Sequence, residues 1–157
     1  MAELVLRVAV DAPAEVTWAA AVDWAGQGEW MLGTRVRPTV QDGRGVGAQL
    51  IAFSGVGRFG FNDTMTITAW DPPHRCEVRH TGRVVRGAGA FEVVPLPGDR
   101  SEFVWSEWLA LPLGMAGQLG WQLLRPAFAA GVLASLHRFA SWAPSHRART
   151  ATRPAQL

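Results

Sequence analysis

The stretch from Trp108 to His137, WLALPLGMAGQLGWQLLRPAFAAGVLASLH, decides the fold, because Arg125 is its single formal charge. We expect one long C-terminal helix there, kinked at Pro126, since proline cannot donate a backbone hydrogen bond. A helix this apolar has to be covered, and the strands that precede it are the available partner. The side chains that recur near helical spacing are Leu119, Leu123, Phe128, Val132, Leu136 and Phe139.

The chain before this helix reads as strands joined by short turns. Residues 3–10 alternate as a first strand, after which Asp11 is expected to cap a short helix that contains Pro13. A second short helix is predicted over residues 24–31. Because short turns join consecutive strands, the sheet is predicted to be antiparallel. The further strands are predicted near 34–41, 46–54, 61–70, 74–81, 86–95 and 101–110.

Composition limits the class of protein. The chain has 157 residues, 48% of them hydrophobic and 18% charged, which is typical of one domain with a large core. A net charge of +2 without a basic cluster argues against nucleic-acid binding. The absence of Lys and Tyr removes a Schiff-base lysine, a P-loop lysine and a phenol acid. The chain opens as a strand rather than as a signal peptide, so we expect a cytoplasmic protein.

Three features of the sequence do not indicate a nucleotide site, a metal site or a catalytic nucleophile. Residues 55–60 match G-x-G-x-x-G, but an alternating strand follows where a nucleotide site needs a helix, so a hairpin is predicted. The histidines lack metal-ligand spacing, and neither a metal nor another cofactor is expected. Cys76, the one cysteine, is interpreted as a small buried residue rather than a nucleophile.

The order of strand, two short helices, six strands and a long helix resembles the START-like superfamily, which includes the Bet v 1-like allergens and the polyketide cyclase/dehydrase group. The resemblance implies an α+β helix-grip fold over residues 1–143: a curved seven-stranded antiparallel sheet round the long helix, with a ligand cavity between them. Residues 144–157 are expected to form a polar, disordered tail. The segments that carry the resemblance are 12–18, Asp23-Trp24 with Trp30, 70–73, 91–93 and 105–107.

Inward-facing positions on the predicted strands combine large aromatic side chains with glycines. We expect them to surround an apolar ligand, although the alternative, that the aromatic rings pack on one another as core, stays open. The predicted ligand contacts are Trp30, Phe53, Phe61, Asp63, Met65, His80, Arg86, Gly89, Phe91, Trp105, Glu107, Trp121, Leu124 and Phe128.

Three polar residues share these inward faces, and they are the candidate catalytic residues: Asp63, His80 and Glu107. A buried carboxylate needs a partner, and the candidates are His80 and the arginines 79, 83 and 86. The cluster could be an acid–base group that orients a ligand carbonyl or hydroxyl, or a structural salt bridge.

Three functions therefore remain. The first is binding or carriage of a small hydrophobic molecule such as a lipid, polyketide or isoprenoid. The second is a metal-free cyclase or dehydrase that uses acid–base chemistry, as the resemblance implies. The third is a protein partner whose cavity is filled by side chains. The sequence also suggests a transient membrane or protein contact near 111–121, without stable insertion, and does not indicate the oligomeric state.

Overall fold

The structure is a computed structural model that describes residues 2–110 and 114–146. Within these residues the chain forms one sheet and two α-helices, α1 (Ala14–Ala21) and α2 (Gly114–Trp142), with shorter 3-10 helices between and after them. The strands are β1 (Ala2–Val10), β2 (Thr34–Val40), β3 (Gln49–Val56), β4 (Phe59–Asp71), β5 (Arg75–His80), β6 (Gly87–Leu96) and β7 (Arg100–Leu109).

The sheet has the order β1-β7-β6-β5-β4-β3-β2, and every neighbouring pair is antiparallel. From β2 to β7 each strand pairs with the next along the chain, as short turns require. β1 instead pairs with β7, so α1 and the 3-10 helix Trp24–Glu29 carry the chain from one edge of the sheet to the other. This is the predicted seven-stranded helix-grip arrangement.

The C-terminal half of α2 packs on the concave side of the curved sheet. Its buried residues are Val132, Ser135, Leu136 and Phe139. The ring of Phe139 lies 4.4 Å from that of Phe103, measured between centroids. The apolar stripe predicted from the sequence therefore covers the sheet only from about Val132 onward.

The link between β3 and β4 is a tight hairpin. Val56 pairs with Phe59, and Gly57 has a φ of 61°, a conformation that glycine adopts without strain. The glycine-rich motif is therefore a strand connection, as predicted, and no helix begins there to face a nucleotide phosphate.

A bulge in β4 changes which residues face inward. Ile67 pairs with Val78, but Ala69 pairs with Glu77, so the register shifts by one residue between them. Beyond the bulge Trp70 packs on Trp18 of α1, with ring centroids 5.2 Å apart.

The second short helix after β1 is confirmed, and local predictions fail at two other places. Asp11 does not cap α1, since Pro13 precedes the first helical residue and no side chain caps it. The second short helix is the 3-10 helix Trp24–Glu29, whose cap is the Asp23 carboxylate accepting from the Gly26 amide at 3.1 Å. The predicted tail loses its first residues, because Ala143–Ser145 form a 3-10 helix and His146 is buried. Residues 147–157 lie outside the described part.

Candidate ligand cavity and acid–base cluster

A cavity of about 340 Å³ lies between the concave face of the sheet and α2. This volume is within the range of small-molecule sites. Side chains of the described residues therefore do not fill the interior. The walls are mostly apolar and include Leu50, Met65, Val78, Phe91, Trp105 and Phe128.

Nine of the predicted ligand contacts line this cavity. They come from β4, β5, β6, β7 and α2, so the fold brings together positions that lie far apart in the sequence. These residues are Phe61, Asp63, Met65, His80, Gly89, Phe91, Trp105, Glu107 and Phe128.

Phe53 and Trp30, two of the predicted ligand contacts, do not line the cavity. On β3 the lining residues are Leu50, Ala52 and Ser54, so Phe53 is on the outer face, where the Arg35 guanidinium lies 5.5 Å from its ring centroid. Apolar residues occupy both faces of β3, and alternation alone could not choose between them. Trp30 is 0% exposed and belongs to the aromatic core behind the cavity wall.

Arg86, Trp121 and Leu124 are also outside the cavity. Arg86 is exposed in the connection between β5 and β6. Trp121 and Leu124 belong to the first half of α2, where Trp121 packs on Phe128 with ring centroids 5.5 Å apart. The helical stripe continues into this segment in the sequence, but the sheet no longer lies beneath it.

Asp63, His80 and Glu107 meet in the cavity wall. His80 ends β5; its Nδ1 donates to Asp63 Oδ2 at 2.6 Å and its Nε2 to Glu107 Oε2 at 3.2 Å. The indole N–H of Trp105 donates to Glu107 Oε1 at 2.7 Å. The side chains of Asp63, His80 and Glu107 are each about one-tenth exposed or less. We refer to these three residues as the acid–base cluster.

Gly89 makes room for this cluster on the strand between β5 and β7. It pairs with Val78 on one side and with Glu107 on the other. A Cβ at Gly89 would lie 3.1 Å from Glu107 Oε1, closer than most side chains tolerate. A glycine at this position therefore allows the carboxylate to lie across β6 and reach His80.

The charge state of His80 follows from its neighbours. Burial lowers its pKa, but the hydrogen bonds to Asp63 and Glu107 raise it by more, to about 9 from the ordinary 6.5. His80 is therefore an imidazolium at neutral pH, and both ring nitrogens donate. Asp63 Oδ1 is buried and has no hydrogen-bond partner among the described residues, so Asp63 depends on His80.

Among the candidate partners of the two carboxylates, His80 is confirmed. Within the described residues no arginine pairs with Asp63 or Glu107, and Arg79 and Arg86 border a separate surface depression. His80 is on β5, next to the strand β4 that carries Asp63, and its ring also reaches Glu107 of β7. The longer arginine side chains project to solvent.

Some polar lining residues were missed by the sequence analysis. Thr34 and Ser54 are joined through their hydroxyls at 3.2 Å across β2 and β3. Ser135 of α2 accepts from the Leu32 amide at 3.0 Å and also lines the cavity. Ser135 is adjacent to Leu136 in the apolar helical stripe, which is the signal that could have identified it.

Cys76 lines the cavity, but burial raises the pKa of its thiol to about 12, so it is a poor nucleophile near neutral pH. Within residues 2–110 and 114–146, no group of three or more His, Cys, Asp or Glu side chains is arranged to hold a metal ion.

The sheet, the long helix and the cavity between them define a helix-grip protein of the START-like and Bet v 1-like class. Over residues 1–144 the sequence matches the family described as polyketide cyclase / dehydrase and lipid transport. The chain belongs to this family. None of the curated proteins matches it in sequence.

Solved structures show the same fold. The Zhui aromatase/cyclase from Streptomyces sp. R1128 is 18% identical, with a TM-score of 0.75, over 96% of this chain and 98% of that one. The di-domain ARO/CYC BexL is 16% identical, with a TM-score of 0.70, over 98% of this chain and 48% of that one. Norcoclaurine synthase from Thalictrum flavum is 18% identical, with a TM-score of 0.65, over 93% and 96%.

Proposed function

We propose that this protein binds a small, largely apolar molecule that carries oxygen groups able to hydrogen-bond to the acid–base cluster. The observation that carries the proposal is the pairing of a mostly apolar cavity of about 340 Å³ with one charged cluster in its wall. Family membership supports it, since the family's description includes both cyclases and lipid transport.

The two parts of the site contribute differently to binding. The apolar walls supply affinity in proportion to the ligand surface removed from water, about 25 cal/mol per Å². They discriminate poorly between molecules of similar size. A hydrogen bond to a charged group is worth about 1.5–3 kcal/mol and depends on direction. Glu107 and its neighbours therefore set the orientation of the ligand.

Native mass spectrometry of the freshly purified protein, followed by solvent extraction, tests whether a ligand is carried. We expect an adduct that dissociates on denaturation and yields an apolar, oxygen-containing molecule in the extract. A protein that is free of adduct and also fails to bind a fluorescent apolar probe would contradict the proposal.

A second candidate function is cyclisation with dehydration of a polyketone chain. The observation that favours it is an imidazolium beside a carboxylate, which places an acid and a base in one wall of the cavity. Glu107 would take a proton from the carbon between two carbonyls, and that carbon would form the new bond to a second carbonyl carbon. Once Glu107 is protonated it no longer holds the Nε2 proton of His80, and His80 would transfer that proton to the developing alkoxide.

The remaining steps balance the protons. Glu107, now protonated, returns its proton to the neutral His80 across the 3.2 Å contact, and both groups regain their starting states. A second proton abstraction by Glu107, with His80 protonating the departing hydroxyl, releases water. No oxidant or reductant is consumed in either step.

Glu107→Gln separates the two functions. If the protein is a cyclase, we expect turnover of a poly-β-keto analogue to fall by about 10²–10⁴-fold, because the general base is lost. Affinity for an apolar probe should change little. Glu102→Gln is the matched control, since Glu102 is on the outer face of the same strand, where it pairs with Arg7.

The outcome for a binding protein is different. Wild-type protein would not turn the analogue over. The Glu107→Gln variant would bind an oxygen-bearing ligand less favourably, by about 1–3 kcal/mol of binding free energy. Full turnover in the Glu107→Gln variant would exclude Glu107 as the general base.

A further inference from the structure

One end of the sheet collects three segments that surround the cavity mouth. They are the β3–β4 hairpin (residues 56–59), the β5–β6 connection (81–86) and the first part of α2 (114–125), which begins five residues after β7 ends. The antiparallel pairing places the ends of β3, β5 and β7 on the same side. We call these three segments the rim.

The cavity opens at the rim. Residues that line the cavity and also reach solvent lie next to it, and they are Leu32, Phe61 and Phe128. Val85 of the β5–β6 connection and Leu109 at the end of β7 complete this part of the lining. A molecule that enters or leaves the cavity therefore passes between rim segments.

The rim exposes large apolar side chains. Phe59 is 76% exposed and Leu123 is 82% exposed. None of the described residues before Val132 in α2 is buried, so this part of the helix is not covered by the sheet. The other exposed apolar rim residues are Val56, Val84, Met115, Leu119 and Leu124.

The rim is also uniformly basic. It carries Arg58, Arg83, Arg86 and Arg125, all exposed, and no Asp or Glu. None of these arginines forms an ion pair within the described residues; the Arg58 guanidinium lies 5.4 Å from the ring centroid of Phe59.

At the opposite end of the sheet, acidic side chains outnumber basic ones in the described turns. Its turns and the strand ends that flank them contain four exposed carboxylates and two exposed arginines, Arg44 and Arg100. Within the described residues, positive charge is therefore concentrated at the rim and negative charge exceeds positive charge in the turns at the opposite end. The carboxylates are Asp11, Asp42, Asp71 and Asp99.

We propose that the rim docks on the surface of an anionic lipid bilayer, with its apolar side chains in the headgroup region and its arginines on lipid phosphates. Amphipathic segments of this composition bind membranes through apolar burial and attraction to anionic lipid together. The exposed side chains come from three separate segments, and a fluid surface accommodates them without shape complementarity. Docking would place the cavity mouth against the lipid.

Docking on the bilayer surface does not require a helix that crosses the bilayer. Among the described residues no helix is long and apolar enough to span a bilayer. The predicted contact near residues 111–121 is thus extended to the two strand connections, while residues 111–113 lie outside the described part.

Co-sedimentation of the full chain with vesicles tests this proposal. We expect binding to phosphatidylcholine vesicles that contain phosphatidylglycerol, much weaker binding to phosphatidylcholine alone, and loss of binding as salt rises. Arg58→Gln with Arg83→Gln should weaken binding about fivefold per arginine. Leu119→Ser with Leu123→Ser should weaken it by a similar or larger factor.

A matched control lies at the opposite end of the sheet. Val46 is exposed and Arg44 is in the same turn, so Val46→Ser with Arg44→Gln removes equivalent groups away from the rim. This variant should bind vesicles as the wild type does. All these residues are exposed, and thermal unfolding will show that each variant is folded.

Three results would overturn the proposal. They are absence of binding to phosphatidylglycerol vesicles at low salt, equal losses in the rim and control variants, and self-association through the rim without vesicle binding. The proposal does not depend on which molecule the cavity holds, so an empty cavity and a failure of docking are separate results.

Discussion

Replacing Trp30 with alanine is expected to lower the free energy of unfolding by about 3–5 kcal/mol. Trp30 is 0% exposed, and its ring makes edge or tilted contacts with four other aromatic rings. Its removal leaves a cavity that these rigid neighbours cannot fill. The neighbours are Phe91, Phe103, Trp105 and Phe139.

Urea unfolding of Trp30→Ala and Trp30→Phe measures this effect. The indole N–H of Trp30 has no hydrogen-bond partner within the described residues, so Trp30→Phe loses volume but no polar contact. We expect Trp30→Phe to lower the free energy of unfolding by less than half as much as Trp30→Ala does. A Trp30→Ala protein of nearly unchanged stability that binds ligand poorly would instead support the direct ligand contact predicted from the sequence.

Stability is expected to fall by roughly 3 kcal/mol as the pH rises from about 6 to about 9.5. The folded protein raises the pKa of His80 from 6.5 to about 9, because Asp63 and Glu107 stabilise the imidazolium. The unfolded chain releases this proton near pH 6.5. The contribution of His80 is therefore complete below pH 6.5 and is lost as the pH rises through about 9.

Urea unfolding at several pH values, with two variants, checks this prediction. His80→Gln should be less stable than the wild type at pH 6 and should lose most of the pH dependence between pH 6.5 and 9. His74→Gln is the control, since His74 is exposed in the β4–β5 turn, and it should keep the wild-type profile. A wild-type protein of constant stability over this range would mean that His80 is not held as an imidazolium.

The sequence was sufficient for the architecture. Alternating strands, short turns and one long apolar helix left few ways to cover the helix. Details set by tertiary contacts could not be predicted in the same way. The Asp11 cap was replaced by an uncapped start after Pro13, and the register shift near Ala69 depends on how β4 pairs with β5. Neither the start of the helix nor the register shift changes the hydrophobic periodicity of the sequence.

The sequence predicted only part of the candidate site, again because tertiary contacts decide the rest. Alternation placed Asp63, His80 and Glu107 on inward faces, and the structure brings them together. Alternation could not place Phe53, because β3 is apolar on both faces. It also could not show that Gly89 lets Glu107 reach across β6 to His80, so the sequence leaves His80 and three arginines open as partners of the carboxylates.

The central claim is that the cavity binds a ligand beside the acid–base cluster, and Gly89→Leu tests it most directly. Leucine at this position would occupy the cavity floor and press on Glu107, so titration with a neutral fluorescent apolar probe should show binding weakened by roughly a hundredfold. Ala88→Leu is the matched control, one residue away on the opposite face of β6, and should bind the probe as the wild type does. Wild-type protein that does not bind the probe, or a folded Gly89→Leu variant with unchanged affinity, would contradict the account.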